Sequence, residues 1–375
     1  MIAVDPIKSL EETLNYQKKF FEGIKNMLSI EEVNVEAAPK ELVYEEDKMK
    51  VYHYIPTTKK TICPVPTLIT YALVNRQYMM DLQQDRSVIC NWLEQGLDIY
   101  IIDWGYPDKT DKYLSMEDYI DGYMNTAVDL VRKRSGREQI NLLGVCQGGT
   151  FSVIYSALYP EKIKNLVTMV APIDFHITDG LLNVWSKHIN GDLLVDAYGA
   201  IPGDLLNIGF LMLRPFQLML DKYVGFMENL DNPDLLRDFL RMEKWIFDSP
   251  SQAGATFRRF IKDFYKENLL IQNKFELGGR LVDLKNITMP LLNVFAEKDH
   301  LVPPSSSKPL NEAVGSKDKE TLSFPVGHIG IYVSSKSQKE VAPAIAKWLL
   351  ERSEIESENN KEDPDDNKEK EDPSK

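Results

Sequence analysis

The chain has 375 residues, of which 43% are hydrophobic, so it is long enough to bury a sizeable core and to carry an insertion. Its formal net charge of -13 argues against a nucleic-acid partner, because phosphate neutralisation needs a basic face. The three cysteines are far apart and odd in number, so they provide neither a disulfide framework nor a metal site of the CxxC type. We expect a protein of the reducing cytoplasm that binds no metal.

Neither a secretion signal nor a membrane span is predicted. The first twenty residues lack a basic stretch followed by an apolar one. The most apolar window, residues 205–227, is interrupted by Arg214, Pro215, Asp221 and Lys222. It therefore falls short of the roughly 18 apolar residues that a spanning helix needs.

The predicted elements alternate between helices and short apolar strands. Residues 1–40 form an N-terminal helical segment, since apolar residues recur at helical spacing between positions 5 and 28. Two strands joined by a polar turn at 45–48 follow. Further helices are predicted near 87–95, 116–134, 149–158, 305–313 and 337–352. The further predicted strands are PTLITYALV, LDIYIIDWG, INLLGVC, IKNLVTMVAPI, MPLLNVFAEKD and ETLSFPVGH. This alternation is typical of parallel βαβ units and indicates an α/β core over 41–173 and 286–352.

Two other segments differ from this core in composition. Residues 174–285 are rich in Leu, Met, Phe and Trp without strand alternation, which predicts a helical cap, or lid, inserted into the core. Residues 353–375 are strongly acidic and contain almost nothing apolar. We interpret them as a disordered, solvating tail, with an acidic partner-binding tail as the alternative.

The stretch INLLGVCQGGT, residues 140–150, has the pattern of a nucleophile elbow. Cys146 stands between Gly144 and Gly148, directly after a predicted strand and before a predicted helix. The flanking glycines are needed because side chains there would collide with the neighbouring strand and helix. The backbone N–H of Gln147, at the helix start, would face an oxyanion formed at the nucleophile.

An elbow nucleophile requires an acid and then a histidine later in the chain. Asp299 directly follows a predicted strand, and His328 lies in a glycine-containing loop after the next one. His300 is a rival base, but its place beside the acid favours a supporting role in orienting that loop. Asp103 and Asp174 also follow strands, although the chain order favours Asp299. The pattern predicts an α/β-hydrolase fold with a helical cap insertion.

A cysteine nucleophile favours acyl transfer over hydrolysis. A thiolate exchanges readily with a thioester, and a neighbouring imidazole and a helix N-terminus activate it. Because this exchange is nearly neutral in energy, the acyl group stays activated for transfer to an alcohol. A cap rich in apolar residues would keep water out.

Several motifs give the chain a strong resemblance to one family. They are GVCQGGT, YALVNRQYMMDL, DWGYPD, FLRMEKWIFDSP, FRRFIKDFYKENLL, FAEKDHLVPP and GHIG. The chain resembles the polyhydroxyalkanoate synthases, specifically the catalytic subunit of the short, two-subunit type called class III. The resemblance extends from about Asn15 to Leu350.

The resemblance implies an acyltransferase that polymerises (R)-3-hydroxyacyl-CoA, chiefly 3-hydroxybutyryl-CoA, with release of CoA. By motif, Cys146 would hold the growing chain and His328 would deprotonate it. Asp299 would help to activate the substrate 3-hydroxyl, directly or through His328. The backbone N–H of Val74 would be the second oxyanion donor. One departure is visible, since Gln77 stands where the family often has proline.

The resemblance also implies partners and a location. These are a second synthase subunit, PhaE or the related PhaR, dimerisation through the cap, and the surface of polyhydroxyalkanoate granules. It implies no cofactor. Two alternatives remain open, namely a Cys-His-Asp hydrolase such as a thioesterase or esterase, and a non-catalytic granule-associated scaffold.

Overall fold

The computed structural model describes residues 33–58, 62–230 and 232–353, together with isolated positions between 11 and 30. The predicted opening helix over 5–28 lies largely outside the described residues, although Leu14 and Phe21 are helical and exposed. The predicted tail lies outside them from residue 354 onward. Its first residue, Ser353, is fully buried and accepts a hydrogen bond from Asn141 at 3.0 Å, so the packed chain includes this position.

An eight-stranded sheet forms the centre of the molecule, in the order β1-β2-β4-β3-β5-β6-β9-β10. The hairpin of β1 and β2 is antiparallel and pairs antiparallel with β4, and every other neighbouring pair is parallel. The predicted parallel βαβ core is thus present. The strands are β1 Lys40–Glu46, β2 Met49–Tyr54, β3 Thr67–Thr70, β4 Ile99–Asp103, β5 Ile140–Val145, β6 Ile163–Met169, β9 Leu291–Ala296 and β10 Lys319–Phe324.

Helices cover both faces of this sheet, because successive strand side chains point to opposite sides. Leu142 of β5 packs in one apolar cluster with Val128, whereas its neighbour Leu143 packs in the other with Trp92 and Trp348. All five side chains are buried. The helices of the core are α1 Val88–Gln95, α2 Asn125–Ser135, α3 Gln147–Leu158, α10 Pro304–Ser307, α11 Leu310–Ala313, α12 Gly330–Val333 and α13 Ala342–Arg352.

The core departs from the predicted helices in three places, one of which is the predicted helix over 337–352, which begins as a π-helix, Ser337–Val341, before α13. The predicted helix over 305–313 is split into α10 and α11, since Pro309 between them has no N–H to continue the ladder. The predicted helix over 116–134 begins as a π-helix, Asp118–Met124, before α2. None of these differences alters the order of strands and helices.

Residues 174–285 contain the helices α4 Leu181–Ser186, α5 Gly191–Tyr198, α6 Gly203–Leu211, α7 Lys222–Glu228, α8 Pro233–Phe247 and α9 Gly254–Arg259. They also contain a two-stranded hairpin, which the sequence analysis missed, of β7 Glu276–Leu277 and β8 Arg280–Leu281. The missed signal was Gly278-Gly279, a pair of residues with φ of 56° and 74° that suits a tight hairpin turn. Among the described residues, no helix has the length and apolar character needed to cross a bilayer.

Candidate active site

Cys146 occupies the sharp turn between β5 and α3, with φ of 53° and ψ of -123°. This is strained backbone for a residue with a side chain, and such strain is typical of functional turns. The neighbouring glycines permit it. A Cβ on Gly148 would lie 2.2 Å from the carbonyl oxygen of Thr70, and one on Gly144 would lie 2.5 Å from Cα of Gly149. A side chain at Gly148 or Gly144 would therefore collide with the end of β3 or with α3.

His328 and Asp299 form a buried pair next to this turn. Nδ1 of His328 donates a hydrogen bond to Oδ2 of Asp299 at 2.6 Å, and both residues are 6% exposed. The other carboxylate oxygen accepts from the backbone N–H groups of Leu301 and Val302, each at 2.9 Å. The acid is thus held rigidly after β9, and the structure brings both residues together with Cys146, which interacts with His328.

The protonation of His328 is set by opposing effects. Burial lowers the pKa of its imidazole, but attraction to Asp299 and hydrogen bonds with Asp299 and Cys146 raise it, with the net result about 10. His328 therefore favours the imidazolium form, stabilised by the buried carboxylate. A positive charge beside a cysteine is the environment that a thiolate nucleophile needs.

The two backbone groups predicted to bind an oxyanion lie on segments that contact each other. The side-chain oxygen Oε1 of Gln147, at the start of α3, accepts a hydrogen bond from the backbone N–H of Leu73 at 3.1 Å. In the described part of the chain, neither the N–H of Val74 nor that of Gln147 donates to a protein acceptor. Within the described residues, both N–H groups are therefore free to donate to another acceptor.

The two rival aspartates pair with other residues, whereas His300 interacts electrostatically with both Asp299 and His328. His300 is half-buried, and burial together with the positive charge of Arg214 lowers the pKa of its imidazole. Asp103 pairs with Arg76 at 2.7 Å. Asp174 accepts from the side chain of Asn268 and from a backbone N–H, each at 2.9 Å. Asp299 is therefore the carboxylate that the structure places against His328.

The sequence analysis did not identify three tyrosines that surround the nucleophile. Tyr71, Tyr265 and Tyr332 each interact electrostatically with Cys146, and burial raises the pKa of all three phenols. Within the described part of the chain, the buried Tyr332 hydroxyl has no hydrogen-bond partner, and its ring lies 6.4 Å from that of His328. Its position four residues after the histidine was a signal in the sequence. Tyr265 belongs to residues 174–285, so this segment lies near enough to Cys146 to interact with it electrostatically.

Clusters of three or more His, Cys, Asp or Glu side chains able to hold a metal ion do not occur within the described ranges. Cys146 lies on a strained turn beside the hydrogen-bonded pair of His328 and Asp299. A cysteine, an imidazole and free backbone N–H groups are the kinds of group that acyl transfer uses.

Two known protein families match this chain. The family described as "alpha/beta hydrolase fold" matches residues 79–335, and the family described as "Poly-beta-hydroxybutyrate polymerase (PhaC) N-terminus" matches residues 22–93. The "Poly(3-hydroxyalkanoate) polymerase subunit PhaC" of Allochromatium vinosum is 53% identical, covering 94% of this chain and 99% of its own length. The protein of the same name from Synechocystis is 52% identical, covering 92% and 93%. The chain belongs to the poly(3-hydroxyalkanoate) polymerase PhaC family. The family resemblance expected from the sequence motifs is confirmed.

Two solved structures resemble this PhaC family member in fold only. A membrane phospholipase A, described as a bacterial virulence factor, has a TM-score of 0.50 at 13% identity, covering 92% of this chain and 97% of that one. A hydrolase from Pseudomonas aeruginosa also has a TM-score of 0.50 at 13% identity, covering 84% and 97%. Together with the family match, they confirm the predicted α/β-hydrolase fold.

Proposed function

We propose that this chain is the catalytic subunit of a polymerase that converts (R)-3-hydroxyacyl-CoA, mainly 3-hydroxybutyryl-CoA, into poly(3-hydroxyalkanoate) with release of CoA. Membership of the PhaC family supports the substrate class. The observation that carries the chemistry is Cys146 on a strained elbow beside the hydrogen-bonded His328–Asp299 pair. A cysteine there suits transfer between thioester and alcohol, because the acyl-enzyme remains activated.

The first step loads the nucleophile. The Cys146 thiolate, formed when its proton passes to His328, attacks the thioester carbonyl carbon of the substrate. The resulting oxyanion accepts hydrogen bonds from the N–H groups of Val74 and Gln147. When the tetrahedral intermediate collapses, the carbon–sulfur bond to CoA breaks, and the CoA sulfur takes the proton from His328. One thioester replaces another, so this step is close to neutral in free energy.

The second step extends the polymer. His328, held by Asp299, accepts the proton of a 3-hydroxyl group as that oxygen attacks the acyl carbon on Cys146. An ester bond forms, the thioester bond to Cys146 breaks, and the proton returns the sulfur to its resting state. The 2.6 Å hydrogen bond to Asp299 orients the imidazole for both steps and stabilises the imidazolium.

We propose that residues 174–285 act as a lid, inserted between core segments 41–173 and 286–352. Two observations support this function. Tyr265 interacts with Cys146, and Phe260 packs on Phe151 of core helix α3 with ring centroids 6.4 Å apart. Such an apolar cover would exclude water and protect the acyl-enzyme from hydrolysis.

The lid also carries the surface that we propose for assembly. Large apolar side chains are exposed along 205–224, and such patches mark interaction sites. They are Leu205, Ile208, Met212, Phe216, Met219, Leu220 and Val224. A second copy of the chain and a second synthase subunit, PhaE or PhaR, would cover them. We place the assembly in the cytoplasm, at the surface of polyhydroxyalkanoate granules.

The proposal is tested by incubating the purified chain with 3-hydroxybutyryl-CoA, with and without a co-expressed second subunit, and measuring CoA release and polymer. We expect both products, with Cys146→Ala inactive and the matched control Cys63→Ala active. Stoichiometric free 3-hydroxybutyrate without polymer would indicate a thioesterase. Granule-related function that persists in Cys146→Ala would indicate a scaffold.

A further inference from the structure

The loop that carries Val74 is fastened to the end of helix α8. Asn75 has a left-handed φ of 56°. Its side-chain amide donates to the carbonyl oxygens of Trp245 and Ile246, at 3.4 and 3.2 Å. In return, Nε1 of Trp245 donates to the carbonyl oxygen of Arg76 at 2.7 Å. The loop thus adds hydrogen bonds to two carbonyl groups in the last turn of α8, where helical partners are lacking and other groups also donate.

Asp248, directly after α8, reinforces this contact through two tyrosines of the core. Its Oδ2 accepts from the hydroxyl of Tyr78 at 2.9 Å, and its Oδ1 accepts from the hydroxyl of Tyr106 at 2.7 Å. Burial and the hydrogen bond to Asp248 raise the pKa of Tyr106 to about 12. Both phenols therefore remain donors throughout the range in which an enzyme works.

The loop is also tied to the core through Arg76. Its guanidinium donates to Asp103 at 2.7 Å and to the carbonyl oxygen of Gly105 at 3.0 Å. A small cavity, lined in part by Leu73, Asn75 and Arg76, lies beside these hydrogen bonds. Polar contacts therefore act together with the packing of Leu73 in the core to hold the loop.

We propose that Asp248 is a positioning residue for the oxyanion hole, which with Tyr78 and Tyr106 clamps helix α8 to the loop and thereby fixes the direction of the Val74 N–H. This inference rests on the proposed function. Val74 lies between two fixed neighbours, since Leu73 is held by Gln147 and Asn75 by the end of α8. A displacement of α8 would therefore turn the Val74 N–H away from the reacting carbonyl.

The test compares Tyr106→Phe, Tyr78→Phe and the double variant with wild type. The matched control is Tyr123→Phe, which loses a tyrosine–aspartate hydrogen bond of the same 2.7 Å length, to Asp47. Two quantities are measured, namely kcat and KM for CoA release from 3-hydroxybutyryl-CoA and the rate of Cys146 alkylation by iodoacetamide. Alkylation requires the Cys146 thiolate but forms no oxyanion. It therefore separates an effect on the nucleophile from an effect on the oxyanion donors.

We expect the double variant to lose about tenfold in kcat, with KM within about twofold, because a misdirected donor weakens only the transition state. Alkylation and the Tyr123→Phe control should be unchanged. An unchanged kcat, or equal losses in kcat and alkylation, would overturn the inference. If the double variant fails to fold, the single variant Tyr106→Phe keeps the test decisive, because Tyr106 is 51% exposed and its loss disturbs packing little. A wild-type chain that releases no CoA even with the co-expressed second subunit would overturn the proposed function, whereas an active wild type with an unaffected double variant would overturn this inference alone.

Discussion

Nδ1 of His328 donates a 2.6 Å hydrogen bond to Oδ2 of Asp299, and both side chains are almost completely shielded from solvent. Because a buried carboxylate stabilises the adjacent imidazolium, the pKa of His328 is raised to about 10 against the opposing effect of burial. Asp299→Asn removes the negative charge and should lower the midpoint of the His328 titration by more than one pH unit. Following the imidazole by NMR checks this. A wild-type midpoint at or below 6.5 would contradict it.

The same pair links stability to pH. A histidine whose folded-state pKa exceeds the ordinary value of 6.5 stabilises the fold fully below that pH. This contribution is lost as the pH rises toward about 10, where the folded protein also releases the proton. We therefore expect the difference in free energy of unfolding between wild type and His328→Gln to shrink between pH 6.5 and 10. Urea titrations across that range measure it, and a growing difference would refute the linkage.

Gly148 is the glycine beside Cys146 at which an added side chain would have the least space. In Gly148→Ala, the new Cβ would meet the carbonyl oxygens of Thr70 and Tyr71 at 2.2 and 2.5 Å, which are backbone atoms at the end of β3 and the start of the loop that carries Val74. We expect a melting temperature lower by several degrees and loss of CoA release. The matched control is Gly209→Ala in α6, where nothing lies within 4 Å of the added methyl group. It should be neutral or stabilising by about 0.5–1 kcal/mol.

Asn141 anchors the end of helix α13 to the sheet. Its side chain donates a hydrogen bond to Ser353 at 3.0 Å and accepts one from Asn165 at 2.8 Å. All three residues are fully buried. Asn141→Ala removes one hydrogen bond from each of two buried partners, although Asn165 keeps its bond to the carbonyl oxygen of Arg352 at 3.2 Å. We therefore expect about 1–3 kcal/mol loss of stability in urea unfolding. The exposed Asn286→Ala serves as control and should change stability by less than about 0.5 kcal/mol. Equal effects of the two substitutions would show that the network is not stabilising.

Much of the core could be predicted because its signals are local. Apolar runs mark the central strands, and Ser87, which caps α1 by accepting from the N–H of Cys90, lies at the predicted start of that helix. The elbow around Cys146 is a contiguous pattern with a steric reason. The order of Asp299 and His328 follows from the position of strand ends in a parallel sheet. These features need no knowledge of distant contacts.

The features that the sequence did not reveal depend on contacts between remote segments. Asn75 meets Ile246 across 171 positions, and Tyr78 meets Asp248 across 170. Nothing in either local pattern distinguishes these side chains from surface polar groups. The same holds for Ser353, which the acidic composition assigned to the tail although it packs against Asn141. Tertiary structure, rather than propensity, decides such positions.

The central claim is that Cys146 carries the acyl chain. Acid quenching shortly after mixing with 3-hydroxybutyryl-CoA, followed by digestion and mass spectrometry, tests it most directly. The account predicts 3-hydroxybutyryl groups, singly or as oligomers, on the peptide that contains Cys146, and none in Cys146→Ala. Release of CoA by the wild type with free acid as the only product and no acyl group on Cys146 would contradict it.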